Sequence, residues 1–300
     1  MGGEKEVWVS NKKIAERYRL PLAEAIKPIV VASKEDLSKI EEAEKRGEER
    51  VFLKCPNWKI IPLENIIALK KKLKVIAEVK DASEAKLVLE TLEKGADGVL
   101  LRAGENELKK LLAYLKCNEA IELSEATITK ISRIGIGARS CVDTIDLMNA
   151  NEGILVGCSS SGFLLVQAEV TENPHVATRP FRVNAGAVSQ YVLTPEGKTR
   201  YLSELDAGSE VLIVARDGKT RRSVVARNKI EWRPLLLIEA KMGSRVAKAI
   251  LQDAETIRVI TPAGSKSIHT LKRGDKVVVR FEGKSARHFG MGVDERIIEK

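Results

Sequence analysis

The spacing of apolar and polar positions divides the chain near residue 118. Before that point, short apolar runs alternate with amphipathic stretches. Val7-Trp8-Val9, Val51-Phe52-Leu53, Lys74–Val79 and Gly98–Leu101 have the length and composition of buried strands. Between them, Glu35–Arg50 places Leu37, Ile40 and Ala43 on one helical face. Leu63–Lys72, Ser83–Lys94 and Glu105–Cys117 read as further helices, with Ser83 as a cap and Gly95 as a stop. Strand–helix alternation at this spacing predicts parallel βα units with right-handed crossovers. Residues 1–118 are therefore expected to form an α/β domain of (β/α) barrel-like design. Function in such sheets gathers at the carboxyl ends of the strands. Glu78 and Lys80, two apart in KVIAEVKD, would sit there, as an ion pair or with Lys80 free for a carbonyl or carboxylate. Glu64 and Asn65 read equally well as a helix-start cap.

From residue 119 onward the pattern changes to short strands and turns. Ile154–Val156 and Phe163–Val166 are apolar strands around a turn at Ser159-Ser160-Ser161-Gly162, with Gln167 and Glu169 at the far end. Two segments, about residues 190–215 and 257–282, repeat a phrase. Thr194-Pro195-Glu196-Gly197 and Thr261-Pro262-Ala263-Gly264 each precede a Leu-x-x-Gly (Leu205 and Gly208; Leu271 and Gly274) and then an apolar strand. A two-copy β module, as a pseudo-symmetric barrel or a pair of small barrels, is expected in residues 119–300. Lys229, Glu231 and Arg233 alternate, so they share one face of a strand, and Glu239 ends the apolar Leu235–Ile238 run that follows.

Composition narrows the classes. The chain has 300 residues, 44% of them hydrophobic, and no run of eighteen apolar positions, so no membrane helix is expected. The opening MGGEKEVWVS has no apolar core of a secretory signal. Cys55, Cys117, Cys141 and Cys158 have neither metal nor disulfide-scaffold spacing, which suits reduced thiols in the cytoplasm. The net charge of +9 is dispersed and aromatics are 4%, against a nucleic-acid surface and in keeping with steering of a small anionic substrate. His175, His269 and His288 lack zinc-ligand spacing. Gly135, Gly137 and Arg139 form a GxGxR stretch that hints at a phosphate loop, although a turn between strands explains it as well.

Arg179-Pro180-Phe181-Arg182-Val183-Asn184-Ala185-Gly186 concentrates the chemistry. Two guanidinium forks and an amide between apolar strands suit an anion. The words RPFRVNAGAV, GKTRYLSEL, KIEWRPLLLIEA, LQDAETIRV and RHFGMGVDERIIEK, with NWKIIPLENIIA, EAKLVLETLEKGADGVLL and CVDT upstream, resemble the archaeal type II 3-dehydroquinate synthases from about residue 50 to the end. That resemblance implies NAD-dependent oxidative deamination of 2-amino-3,7-dideoxy-D-threo-hept-6-ulosonate, then an intramolecular aldol closure to 3-dehydroquinate. Such a site needs a cation for the carboxylate, a role suited to Arg179 and Arg182, with Glu231 and Arg233 beside them. A base for the amine could be Lys229 or Lys80. The enolate oxygen could be met by Asn184, or by a divalent metal such as Mn²⁺ or Mg²⁺ held by Glu169 and Glu239. Gly135, Gly137 and Arg139 are the candidates for the cofactor. The chain departs from the family pattern at Asn57 and Ala138, where the family has acids, at Gln167 and Ser189, where it has histidines, and at Gln190, where it has alanine. Two alternatives stay open: a metal-dependent cyclase forming 3-amino-4-hydroxybenzoate from a phosphorylated amino-heptulosonate, and a paralogue that binds without turnover. Exposed strand edges make a homodimer reasonable.

Overall fold

A computed structural model describes residues 5–57, 60–92, 94–116, 120–283, 286–288 and 291–293. The chain forms two compact units, Met1–Leu115 and Lys116–Lys300.

The first unit alternates strand and helix throughout: β1 (Glu6–Val9), α1 (Lys12–Tyr18), β2 (Ile29–Val30), α2 (Leu37–Lys45), β3 (Arg50–Lys54), α3 (Ile60–Leu69), β4 (Lys74–Val79), α4 (Ala82–Glu90), β5 (Gly98–Leu101) and α5 (Glu105–Lys116). The five strands are parallel, in the order β1-β5-β4-β3-β2. Among the described residues no ladder joins β1 to β2; β1 meets only an isolated parallel bridge, Val9 with Leu22. β5 is buried along its whole length, as a strand covered on both faces must be. Helix limits differ from the periodicity at several ends, α4 stopping at Glu90 and not just before Gly95, and three of the differences have local reasons. α2 stops at Lys45 because Gly47 takes φ +74°, which breaks the helix before the strand. α3 begins three residues early, with Pro62 tolerated in its first turn. The cap of α4 is Asp81, whose carboxylate accepts from the Glu84 amide at 2.8 Å, and not Ser83.

The second unit is a twelve-stranded sheet whose pairings are all antiparallel. Its strands are β6 (Ser124–Thr144), β7 (Glu152–Ser159), β8 (Gly162–Glu169), β9 (Arg179–Ala187), β10 (Tyr191–Thr194), β11 (Lys198–Tyr201), β12 (Glu210–Ala215), β13 (Thr220–Met242), β14 (Arg245–Gln252), β15 (Arg258–Thr261), β16 (Gly264–Ser267) and β17 (Lys276–Phe281). A separate pair, β18 (Ala286–His288) and β19 (Met291–Val293), follows; the side chain of His288 lies outside the described residues. The phrase beginning Thr194 makes the β10–β11 hairpin, then Gly208 at φ +91°, then β12. That beginning Thr261 makes the β15–β16 hairpin, then Gly274 at φ +96°, then β17. β6 and β13 run side by side for most of their length, with bulges that keep so long a ladder twisted. The main core lies under them, with Val142, Val183, Val225, Leu236 and Ile238 among its members.

Gly135 and Gly137 are not in a turn between strands. Both lie within β6, beside a bulge opposite Leu235–Leu236, with Gly135 at φ +108°. There β6 and β13 form a two-stranded arm. β9 joins β6 only from Arg139, and β14 joins β13 only from Leu235. Ile136 (75% exposed) and Trp232 (69% exposed) stand on one face of this arm.

Candidate functional site

Strand alternation gathers the sequence candidates of the second unit. Side chains two apart share a face, and directly opposed residues in an antiparallel ladder share it too. On β6 this selects Arg139, Cys141 and Asp143. Opposite them on β13 stand Glu231, Lys229 and Arg227, and on β9 Asn184 faces Cys141 while Arg182 faces Asp143.

Asp143 is the centre. Arg182 donates to both its oxygens, Nε to Oδ1 at 2.6 Å and Nη2 to Oδ2 at 2.9 Å. Arg227 adds Nη2 at 2.7 Å and Nε at 3.0 Å on Oδ2. Burial pushes the Asp143 carboxyl up, but the hydrogen bonds and charges of the two arginines outweigh it and hold the group below the usual range. The Arg182 fork, which a substrate carboxylate was expected to fill, is therefore filled by Asp143, and substituting Arg182 disturbs the fold as well as any ligand.

Arg139, itself buried, donates Nη2 to Glu231 Oε2 at 2.9 Å and Nη1 to Cys141 Sγ. Burial pushes the Cys141 thiol up to about 11, with Arg139 acting the other way. Glu231 also takes Lys229 and Arg233, each at 3.0 Å, and the Lys229 hydrogen bond leads in holding its carboxyl below the ordinary value. Glu169 meets Arg179 at 3.2 Å and lies near enough to act on Cys141 and Arg182 through its charge. Asn184 donates to Gln252 Oε1 at 2.8 Å. Its Oδ1 and the Nε of Arg139 are buried without a protein partner, one acceptor and one donor in the same patch. The cluster thus runs from a buried floor (Arg139, Cys141, Asp143, Asn184) to an open edge where Arg227, Lys229 and Arg233 keep half their side chains in solvent. It can hold an anion at the edge and a hydroxyl or carbonyl on the floor.

Other candidates fall elsewhere. Glu239 sits on β13 opposite Lys248 and Lys130, at 3.8 and 4.0 Å, while Glu169 is held by Arg179. The two carboxylates are not brought together, and among the described residues no group of three metal-ligating side chains occurs. Lys80 ends β4 in the first unit, exposed, and Glu78 pairs with Lys54 and Arg102, both at 3.0 Å, instead of with Lys80. Gly135 and Gly137 lie on the open arm with no helix after them, so they do not form a phosphate loop.

Of the departures from the family pattern, Gln167 donates to Ala150 O, and Gln190 bonds the Ile250 backbone both ways, at 2.7 and 2.8 Å, as a buried staple. Ala138 opposes Trp232, while Asn57 and Ser189 are exposed.

Asp143, Arg227, Cys141 and Gln252 were not singled out from the sequence. Stepping by two from Arg139 would have reached Cys141 and Asp143; Gln252 carried no local signal. A second place was missed altogether. An open cavity of about 570 Å³ in the same unit is walled by β6 from Thr129 to Arg133, by Asp253 and by the turn Ile268–Arg273.

Comparison with known proteins bears on the whole chain. The sequence model of the 3-dehydroquinate synthase II N-terminal domain matches residues 4–115, and that of its C-terminal domain matches residues 125–300. A 3-dehydroquinate synthase of Methanosphaera stadtmanae is 51% identical over 256 residues, 83% of this chain and 71% of the relative. That of Methanocaldococcus jannaschii is 48% identical over 280 residues, 91% and 77%. That of Archaeoglobus fulgidus is 45% identical over 291 residues, 96% and 87%. No solved structure matches. With both domain models matched in order and identities near one half over most of its length, the chain belongs to the 3-dehydroquinate synthase II family.

Proposed function

We propose that the chain is a 3-dehydroquinate synthase whose substrate is the anionic 2-amino-3,7-dideoxy-D-threo-hept-6-ulosonate and whose hydride acceptor is NAD. The observation that carries the reading is the cluster around Asp143. Six cations (Arg139, Arg179, Arg182, Arg227, Lys229, Arg233) surround three carboxylates (Asp143, Glu169, Glu231), an excess of 6 − 3 = 3 on one strand face. A sugar acid has the complementary charge.

Arg227 and Arg233, at the open edge, take the substrate carboxylate. Lys229, placed between them on β13, takes the proton of the substrate amine after releasing its own to solvent. Once substrate binding opens the floor, Asn184 Oδ1 accepts from a substrate hydroxyl, and the spare Arg139 Nε–H, buried in the free protein, meets the oxygen that gains charge in the aldol closure. Bound NAD supplies the oxidation, removing hydride from the amine-bearing carbon so that water can release ammonia. Gly135 and Gly137 do not fit its phosphates. The residues do not fit a metal shared by Glu169 and Glu239, so no step is assigned to one.

Support for the remaining expectations is structural. The open order β1-β5-β4-β3-β2 of the first unit is that of a barrel left unclosed between β1 and β2, which agrees with a partial barrel, and the two hairpin-plus-strand segments agree with a duplicated module. A free thiol at Cys141 suits a reducing, cytoplasmic setting, and among the described residues no helix is long and apolar enough to cross a membrane. The exposed Ile136 and Trp232 on an arm with open edges suit a homodimer, which Trp232→Glu would dissociate in sedimentation. The activity is tested by incubating the full chain with the amino-heptulosonate and NAD. Stoichiometric NADH and 3-dehydroquinate support the reading; a metal-dependent aromatic product without NADH, or binding without turnover, sinks it.

A further inference from the structure

The cavity beside Asp253 plays no part in the substrate chemistry above, yet it is built. Asp253, only 11% exposed in its side chain, lies 2.7 Å from His269 Nε2 and accepts from Arg133 Nε at 3.0 Å. One carboxylate therefore fixes two basic groups from distant segments at the same wall. Lys130, from β6, and Lys272 and Arg273, from the turn before β17, complete the lining. Lys130 reaches Glu239 only at 4.0 Å. Among the described residues neither the Lys272 nor the Arg273 side chain makes an ion pair. Counting permanent charges, the lining carries four cations and one carboxylate, or 4 − 1 = 3, and 3 − 1 = 2 when Glu239 is set against Lys130. Like charges gathered around one cavity favour an anion that joins them.

The rest of the lining says what kind of anion. Leu236, Ile268 and Leu271 are buried side chains that give the cavity an apolar floor. A lone inorganic ion would leave that floor wet. A ligand with a phosphate end and an uncharged body would cover it, and about 570 Å³ exceeds the needs of a single phosphate.

We propose that this cavity is a binding site for a diphosphate-bearing ligand, with Arg133, Lys272 and Arg273 on the phosphates and Leu236, Ile268 and Leu271 under the body. Assigning the diphosphate to a dinucleotide rests on the function proposed above; the diphosphate site does not.

The test is calorimetric titration of the full chain with inorganic pyrophosphate and with NAD, separately and in competition, without turnover. The variant Lys272→Ala/Arg273→Ala changes two exposed side chains on a turn, and its unchanged melting temperature certifies the fold. Both ligands are expected to bind, to compete, and to bind at least tenfold more weakly to this variant, while Lys229→Ala leaves both affinities as they were. Undiminished pyrophosphate binding in the double variant, or no pyrophosphate binding to the parent, overturns the site. Weakened pyrophosphate binding with unchanged NAD binding leaves the site standing and overturns the dinucleotide as its occupant. Full binding of both without NADH formation from the amino-heptulosonate overturns the proposed function and supports the site.

Discussion

Two basic regions of one antiparallel sheet are built on opposite terms. Around Asp143 most cations already have a carboxylate: Arg182 and Arg227 share Asp143, Arg139, Lys229 and Arg233 share Glu231, and Arg179 holds Glu169. Beside Asp253, Arg133 and His269 share one carboxylate, Lys130 reaches Glu239 only at 4.0 Å, and among the described residues the Lys272 and Arg273 side chains make no ion pair. The sequence weights arginines equally, but their partners do not. An Arg whose fork is closed by a buried carboxylate is first a fold element. An Arg or Lys on a cavity wall without a counterion destabilises the free protein slightly and favours whatever anion arrives.

The largest way to break the contrast is to remove Asp143. Asp143→Ala leaves the half-buried Arg182 without its partner, and the loss of unfolding free energy in urea should be about 3–5 kcal/mol. Arg182→Ala should cost less, because Arg227 still satisfies Asp143. Equal losses would mean that Arg227 contributes nothing to the cluster. Asp253→Ala should cost less still, since Arg133 is 82% exposed and returns to water.

Next comes Lys229→Ala. Its ammonium is half exposed and its partner Glu231 keeps Arg139 and Arg233, so stability should change by no more than about 0.5 kcal/mol. If it moves the amine proton, kcat should fall by about 10²-fold with NAD affinity unchanged. A fall in stability with kcat intact would place Lys229 among the fold elements.

Much of this was readable in the chain. The strand and helix alternation of the first unit, the two strands around Ser159–Gly162, and the same-face grouping of Lys229, Glu231 and Arg233 all follow from local periodicity. What periodicity omits is register between distant strands. Asp143 meets residues 39 and 84 positions away, and nothing near it announces either. Gly135 and Gly137 misled for a related reason. A GxG can open a phosphate loop or relax a bulge in a long ladder, and only the partner strand decides between them. The cavity was hidden most deeply, since its walls come from four stretches that are unremarkable taken singly. His269, set aside for lacking zinc spacing, belongs to it through Asp253.

Acid should loosen the Asp143 cluster more gently. The Asp143 and Glu231 carboxyls sit below their ordinary values, so the stability that they add is complete above the unfolded range near pH 4. It should drain away as the pH falls through their depressed folded values. Asp143→Asn should flatten that limb of an unfolding-versus-pH curve. An unchanged limb in Asp143→Asn would remove Asp143 from the centre of the cluster.

The smallest effect concerns Cys141, which tests whether the floor of the Asp143 cluster is closed. Arg139 beside a thiol is the arrangement that usually makes a reactive thiolate, because a cation favours the charged sulfur. Here burial works against it and is the larger influence, leaving the thiol near 11, so almost none is thiolate at pH 8. Cys158 is only partly buried. Iodoacetamide at pH 8 should therefore label Cys158 in the native protein and spare Cys141, with peptide mass mapping as the readout. Arg139→Ala should not speed labelling of Cys141, since the lost cation raises the thiol further, unless the substitution opens the floor to water. Rapid alkylation of Cys141 in the unaltered protein would mean that the floor is accessible. The Asp143 cluster would then stand open like the cavity beside Asp253, and the distinction between closed and waiting cations would fail at its best-defined point.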